Sequence, residues 1–158
     1  MEIWLRKNEN TLIVTGSAVI LLCLWNIAKS VMFYTLVPEA YPQLRAAFGE
    51  GIGQDAFGAV LAAVFAADLV LRVYTGLRAR SEGMGKRSGT VYIVLAGVFA
   101  AVSLLELGVC FASGLVPEIR KDLLFSAAFE LTSLITSVAL IRSALTVKKL
   151  RRARKAEV

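Results

Sequence analysis

Apolar residues fill four long stretches of the chain, and polar residues are displaced to their ends. The first stretch runs from Thr11 to Val37, after the cap-like Asn8-Glu9-Asn10. It stops at Pro38, because the residue before a proline is driven out of the helical region. The second covers Gln54 to Leu77, the third Thr90 to Val116 with Pro117 closing it, and the fourth Asp122 to Val147. Each is about 20 residues or more with little charge, the length that a ~30 Å hydrocarbon core demands. Barrel strands would show dyad alternation, which these runs lack, so helices remain as the structure that satisfies every backbone group in lipid. The pattern predicts an all-α integral membrane protein: a four-helix antiparallel bundle in one domain, residues 1–158, with a basic tail at 148–158. The first run is also too long for a signal-peptide core of roughly 7 to 15 residues, so it belongs to the mature fold.

Composition agrees: hydrophobic residues make up 57% of the 158, and mean hydropathy is +0.67, well above what a wet surface allows. The charge, net +6, is distributed unevenly. The amino terminus, the 72–87 region and the carboxyl end hold fourteen of the eighteen Lys and Arg. By the positive-inside rule both termini and the middle loop are expected in the cytoplasm, in a plasma or bacterial inner membrane. Lys148, Lys149, Arg151, Arg152, Arg154 and Lys155 follow the fourth stretch directly, where basic residues meet an anionic inner leaflet; a lipid partner is expected there and nucleic acid is not.

Leu36-Val37-Pro38-Glu39 recurs as Leu115-Val116-Pro117-Glu118, and at the same offset Thr11 meets Thr90. The expectation is a tandem duplication of a two-helix hairpin, with parallel repeats. Between the first two stretches, Tyr41, Leu44 and Phe48 have the spacing of a short interfacial helix, and Gly49, Gly51 and Gly53 loosen the chain after it. In the second stretch Gly58, Ala62 and Ala66, with Ala59, Ala63 and Ala67, form two ladders of small residues that suit close helix contact, inside the bundle or between subunits.

Charge inside an apolar stretch is the feature that points to a site, since each such group costs about 2.5 to 3.5 kcal/mol on insertion scales. Lys29, Glu106 and Glu130 lie roughly 12 to 16 Å below the outer end of their helices at about 1.5 Å per residue. Polar neighbours share their faces: Asn26 and Ser30 with Lys29, Ser103 with Glu106, Ser126, Ser133 and Ser137 with Glu130. These residues predict a polar core, either a structural hydrogen-bond network that locks the helices together or an ion or substrate site in which two carboxylates and one ammonium leave room for a proton or a cation. Asp68 and Arg72, four residues apart, read instead as a local ion pair in the inner half of the second helix.

Histidine is absent, which removes the commonest metal ligand and general base. Cys23 and Cys110 stand alone in apolar runs, and no phosphate loop, nucleophile elbow or metal motif is present, so neither a cofactor nor a metal is expected. The function expected is a transporter or channel-like homo-oligomer. An accessory or assembly subunit of a larger membrane complex is the alternative, and an enzyme acting on a lipid-like substrate through Glu106 or Glu130 is third.

Overall fold

The computed structural model describes residues 2–36, 54–113 and 120–156. These form four helices: α1 (Glu2–Leu36), α2 (Gln54–Gly83), α3 (Val91–Ser113) and α4 (Arg120–Ala156). All four are long and apolar enough to cross a membrane, and their outer faces carry exposed Leu21, Val64, Val94, Leu105, Phe111 and Ile135. The interfacial helix expected at 41–48, the glycines at 49–53, and Pro38 and Pro117 lie outside the described residues.

Three helices run further than hydropathy marks. α1 starts at Glu2 rather than Thr11, because pairing between residues four apart continues the helix through the charged segment. Arg6 bonds Glu2 at 2.8 Å, the Asn8 amide donates to the Trp4 carbonyl, and the Thr11 hydroxyl donates to the Lys7 carbonyl. Asn8-Glu9-Asn10 is thus helix interior and not a cap. α4 extends through the basic tail to Ala156; Lys, Leu, Arg and Ala are good helix formers, and cations near a carboxyl terminus oppose the helix dipole. α2 continues past Leu77 to Gly83 and ends in a Schellman cap. The Lys86 amide donates to the Ser81 carbonyl, the Gly85 amide donates to Glu82, and Gly85 adopts φ 90°, a conformation that favours glycine.

α1 packs most closely on α2, and α3 on α4; α1 also lies along α4, whereas α2 and α3 touch far less. Glycines set the α1–α2 contact: a Cβ added at Gly16 would sit 2.7 Å from the Gly76 carbonyl oxygen, and one at Gly83 2.7 Å from that of Glu9. The ladders of small residues do not pack inside the bundle: Ala59, Ala62, Ala63, Ala66 and Ala67 are exposed on the single chain, on the face where contact between subunits is the other expectation. The hydrophobic core lies in the half nearest the α2–α3 turn and comprises Leu5, Leu12, Val19, Ala79, Tyr92, Ala96, Leu140, Ala144 and Val147.

Buried positions 12, 16, 19 and 23 of α1 recur as 92, 96, 99 and 103 of α3, a shift of 80 residues. The Leu-Val-Pro-Glu identity recurs at a shift of 79, so the two registers differ by one residue. A 4-3-4 spacing is also what any tightly packed bundle imposes on its inner face, and it carries no argument for duplication.

Candidate functional site

Beyond the buried Glu82 at the turn end, the inward positions of each helix pass from a largely apolar stretch, in which Thr15 and Ser143 are also buried, to a polar one farther from the α2–α3 turn. α1 presents Leu12, Val19, Cys23 and then Asn26; α2 presents Ala79, Thr75, Arg72 and then Asp68. α3 presents Tyr92, Ala96, Phe99, Ser103 and then Glu106; α4 presents Val147, Ala144, Leu140, Ser137, Ser133 and then Glu130. Accessibility rises along the same direction on three helices: Asn26 and Asp68 are half-buried and Glu106 is exposed, while Glu130 stays buried.

Two contacts fix the relative levels. The Ser103 hydroxyl bonds that of Ser133 at 3.0 Å, so Glu106 and Glu130, each three residues from its serine, are carried to one level on adjoining helices. Trp25 stacks on Phe129 at 4.8 Å between centroids, which brings Asn26 beside that level on α1. None of Asn26, Glu106 and Glu130 is unpartnered. Lys29 lies on helical backbone three residues beyond Asn26, with its side chain outside the described set. The side chain of Cys110 and the side chains of α4 before residue 127 lie outside it as well.

Arg72 donates through Nε to both carboxylate oxygens of Asp68, at 2.9 and 2.8 Å. Its guanidinium also lies 4.7 Å over the Phe99 ring, and its side chain is 8% exposed against 35% for Asp68. Phe99 precedes Ser103 by one turn, about 6 Å, and the Cys23 thiol faces the Leu69 carbonyl at 3.9 Å. The pair therefore floors the same polar zone and is more than a surface i, i+4 bridge.

Several threonine hydroxyls are absorbed locally. Thr15, Thr75, Thr132 and Thr146 each donate to the carbonyl four residues back, a common resolution for hydroxyls in lipid. Ser103 and Ser133 differ by bonding between helices, and they bond each other rather than a base. Among the described residues no group of His, Cys, Asp and Glu could hold a metal ion.

A second polar cluster lies at the turn end. Glu82 is buried, accepts the Tyr92 hydroxyl at 2.7 Å and faces Lys148 at 3.6 Å. Lys148 also donates to the carbonyls of Ser88 and Gly89, and Arg151 bonds Glu9 at 2.7 Å and the Glu82 carbonyl at 2.8 Å. All four helices are tied together by these bonds, and Lys148 and Arg151 are engaged with acidic groups and carbonyls of the protein. One sequence signal marks Glu82: it continues the buried stripe of Thr75 and Ala79 at helical spacing.

No family model, curated protein or solved structure matches the chain. The fold and the two clusters define the class: a small all-helical protein with four candidate membrane spans.

Proposed function

We propose that the chain is a transporter or channel-like membrane protein, an antiparallel bundle in the cell membrane, and that Asn26, Lys29, Ser103, Glu106, Glu130 and Ser133 form its ion or substrate site. The observation that carries this reading is the gathering, on the inner faces of all four helices away from the α2–α3 turn, of carboxylates, hydroxyls and an amide. A polar interior that becomes accessible toward one end suits the entry and neutralisation of a cation or proton. Asp68 and Arg72 then close the inner end of the site. The expected topology places both termini and the 84–90 turn in the cytoplasm, on the positive-inside bias. The decisive experiment is flux of protons and monovalent cations into proteoliposomes containing the intact chain or Glu130→Gln. Flux that is lost in the variant supports the reading, and absence of flux from the intact chain overturns it.

The second reading is an accessory subunit, and one observation favours it: the small-residue ladders of α2, including Ala62, Ala63, Ala66 and Ala67, face outward. Such a face permits close approach of another helix, from a second copy in the homo-oligomer or from a partner subunit. Chemical cross-linking from Ala63→Cys in membranes separates the two, since a homodimer product favours the oligomeric transporter. The tandem duplication remains part of this proposal, supported by the repeated Leu-Val-Pro-Glu, and it requires α1–α2 to superpose on α3–α4 about an axis near the membrane normal.

A further inference from the structure

The structure separates the basic residues at the turn end into two groups with different surroundings. Arg6, Lys148 and Arg151 are engaged with acidic groups: Arg6 with Glu2, Lys148 with Glu82 and Arg151 with Glu9. Those are the acidic side chains described at this end, and each already faces a cation. Arg78, Arg80, Lys86, Arg87, Lys149 and Arg152 are exposed, and among the described residues no carboxylate pairs with them.

Ser88 gathers several of these cations. Its hydroxyl donates to the Arg78 carbonyl at 3.2 Å while its own carbonyl accepts from Lys148 at 3.1 Å. Arg87 adjoins Ser88 in the chain and Lys149 adjoins Lys148, so bonds between backbone and side chain hold cations from α2, the turn and α4 near one another. The Schellman cap fixes Lys86 at the head of the same turn through its bond to Ser81.

Apolar groups are interleaved with this charge. Leu77, Met84 and Leu145 are all more than half exposed; Leu77 adjoins Arg78, Met84 precedes Lys86 by two residues, and Leu145 lies one turn from Lys149. The Arg78 guanidinium sits 5.4 Å over the ring of Tyr74, itself exposed. A surface meeting only water or a nucleic acid gains nothing from exposed leucine and methionine beside its cations. The boundary of a bilayer satisfies both, with apolar side chains in the acyl region and cationic heads at the phosphates.

We infer that Arg78, Lys86 and Arg87, with Lys149 beside them, form a docking surface for the phosphate headgroups of anionic phospholipids at the turn end of the bundle. The site is independent of the polar interior. Lys148 and Arg151 take no part in it, because both are held by Glu82, Glu9 and backbone carbonyls.

The test uses the full chain equilibrated with equal amounts of phosphatidylglycerol and phosphatidylcholine, followed by native mass spectrometry of the lipids it retains. The expected result is enrichment of phosphatidylglycerol that fades at high salt and falls about five-fold for each cation removed in Arg78→Gln, Lys86→Gln and Arg87→Gln. None of these side chains is buried, and the Arg78 group bonded to Ser88 is its carbonyl, so the variants should keep their helical circular dichroism. Should one lose it, the salt series on the unmodified chain makes the same decision. Retained lipid that mirrors the bath, or enrichment untouched by salt and substitution, overturns the proposal. So does tight binding of a duplex oligonucleotide by a chain that shows no lipid preference.

Discussion

Gly16 and Gly76 meet backbone to backbone: a Cβ on Gly76 would lie 2.5 Å from the Gly16 carbonyl oxygen, and one on Gly16 2.7 Å from that of Gly76. Both distances are shorter than carbon and oxygen tolerate, and the opposing atoms are backbone, which has no rotamer to move. Gly16→Ala and Gly76→Ala should each destabilise the protein by about 1 to 3 kcal/mol through overpacking. Gly97→Ala, which meets nothing within 4 Å, should be neutral or mildly stabilising, since alanine is the better helix former. Thermal unfolding in detergent distinguishes the three; equal behaviour would mean that α1 and α2 do not approach as closely as the structure has them.

Glu82 and Lys148 offer a sharper ordering. Lys148→Met leaves a buried carboxylate with only the Tyr92 hydroxyl, and breaking a buried pair from one side typically costs about 3 to 5 kcal/mol. Glu82→Gln leaves Lys148 still bonded to the Ser88 and Gly89 carbonyls and should cost less. The double variant should be more stable than Lys148→Met alone, because no uncompensated charge remains. A double variant as unstable as the sum of the singles would show that the two groups act separately.

Arg72 is held by shape as well as charge, through Asp68 on one side and the Phe99 ring on the other. Lysine keeps the charge but lacks the planar guanidinium that lies over the ring. Arg72→Lys and Phe99→Leu should therefore each destabilise the fold, with a coupling between them of about 0.5 to 2 kcal/mol in a double-mutant cycle. Additive losses would remove the stacking interaction from the account.

The helical class and the four apolar stretches were legible in hydropathy alone, because lipid imposes length and composition on any span. Helix ends were not. Thr11 and Leu77 marked where apolarity begins and stops, while the helices follow backbone bonding out to Glu2 and Gly83. The packing glycines escaped notice for a different reason: Gly16 and Gly76 are sixty residues apart, and nothing in local spacing pairs them. The ladder in α2 had the right local signature and turned outward. In the polar zone, the residues of α1, α3 and α4 could be named from their stripes. The place of Arg72 beneath Ser103 required the α2–α3 contact at Phe99, which no single-helix pattern contains.

The two glutamates of the polar zone stand at one level but in different surroundings, Glu130 buried and Glu106 exposed. That asymmetry separates stability from transport. Glu130→Gln alters a desolvated group and should lower thermal stability measurably, whereas Glu106→Gln, closer to the accessible side, should change stability by less than about 0.5 kcal/mol, the usual range for surface substitutions. If the zone conducts or exchanges a cation, both variants lose flux despite that difference, because each removes a carboxylate from the path. Lys29→Met should act oppositely on charge by deleting the ammonium contributed by α1, and it should raise the affinity for a competing external cation. If Lys29 and Glu130 form a buried pair, replacing Lys29, Glu106 and Glu130 together by apolar residues of similar volume should restore much of the stability lost in Glu130→Gln, since neither partner of the pair is then left without the other. The triple variant should then fold and carry no flux. Parallel melting and proteoliposome uptake on the same preparations decide the matter: a stable triple variant with full flux would place the transport path outside these three residues. Additive and equally small losses from the three single substitutions would show that they never form one cluster.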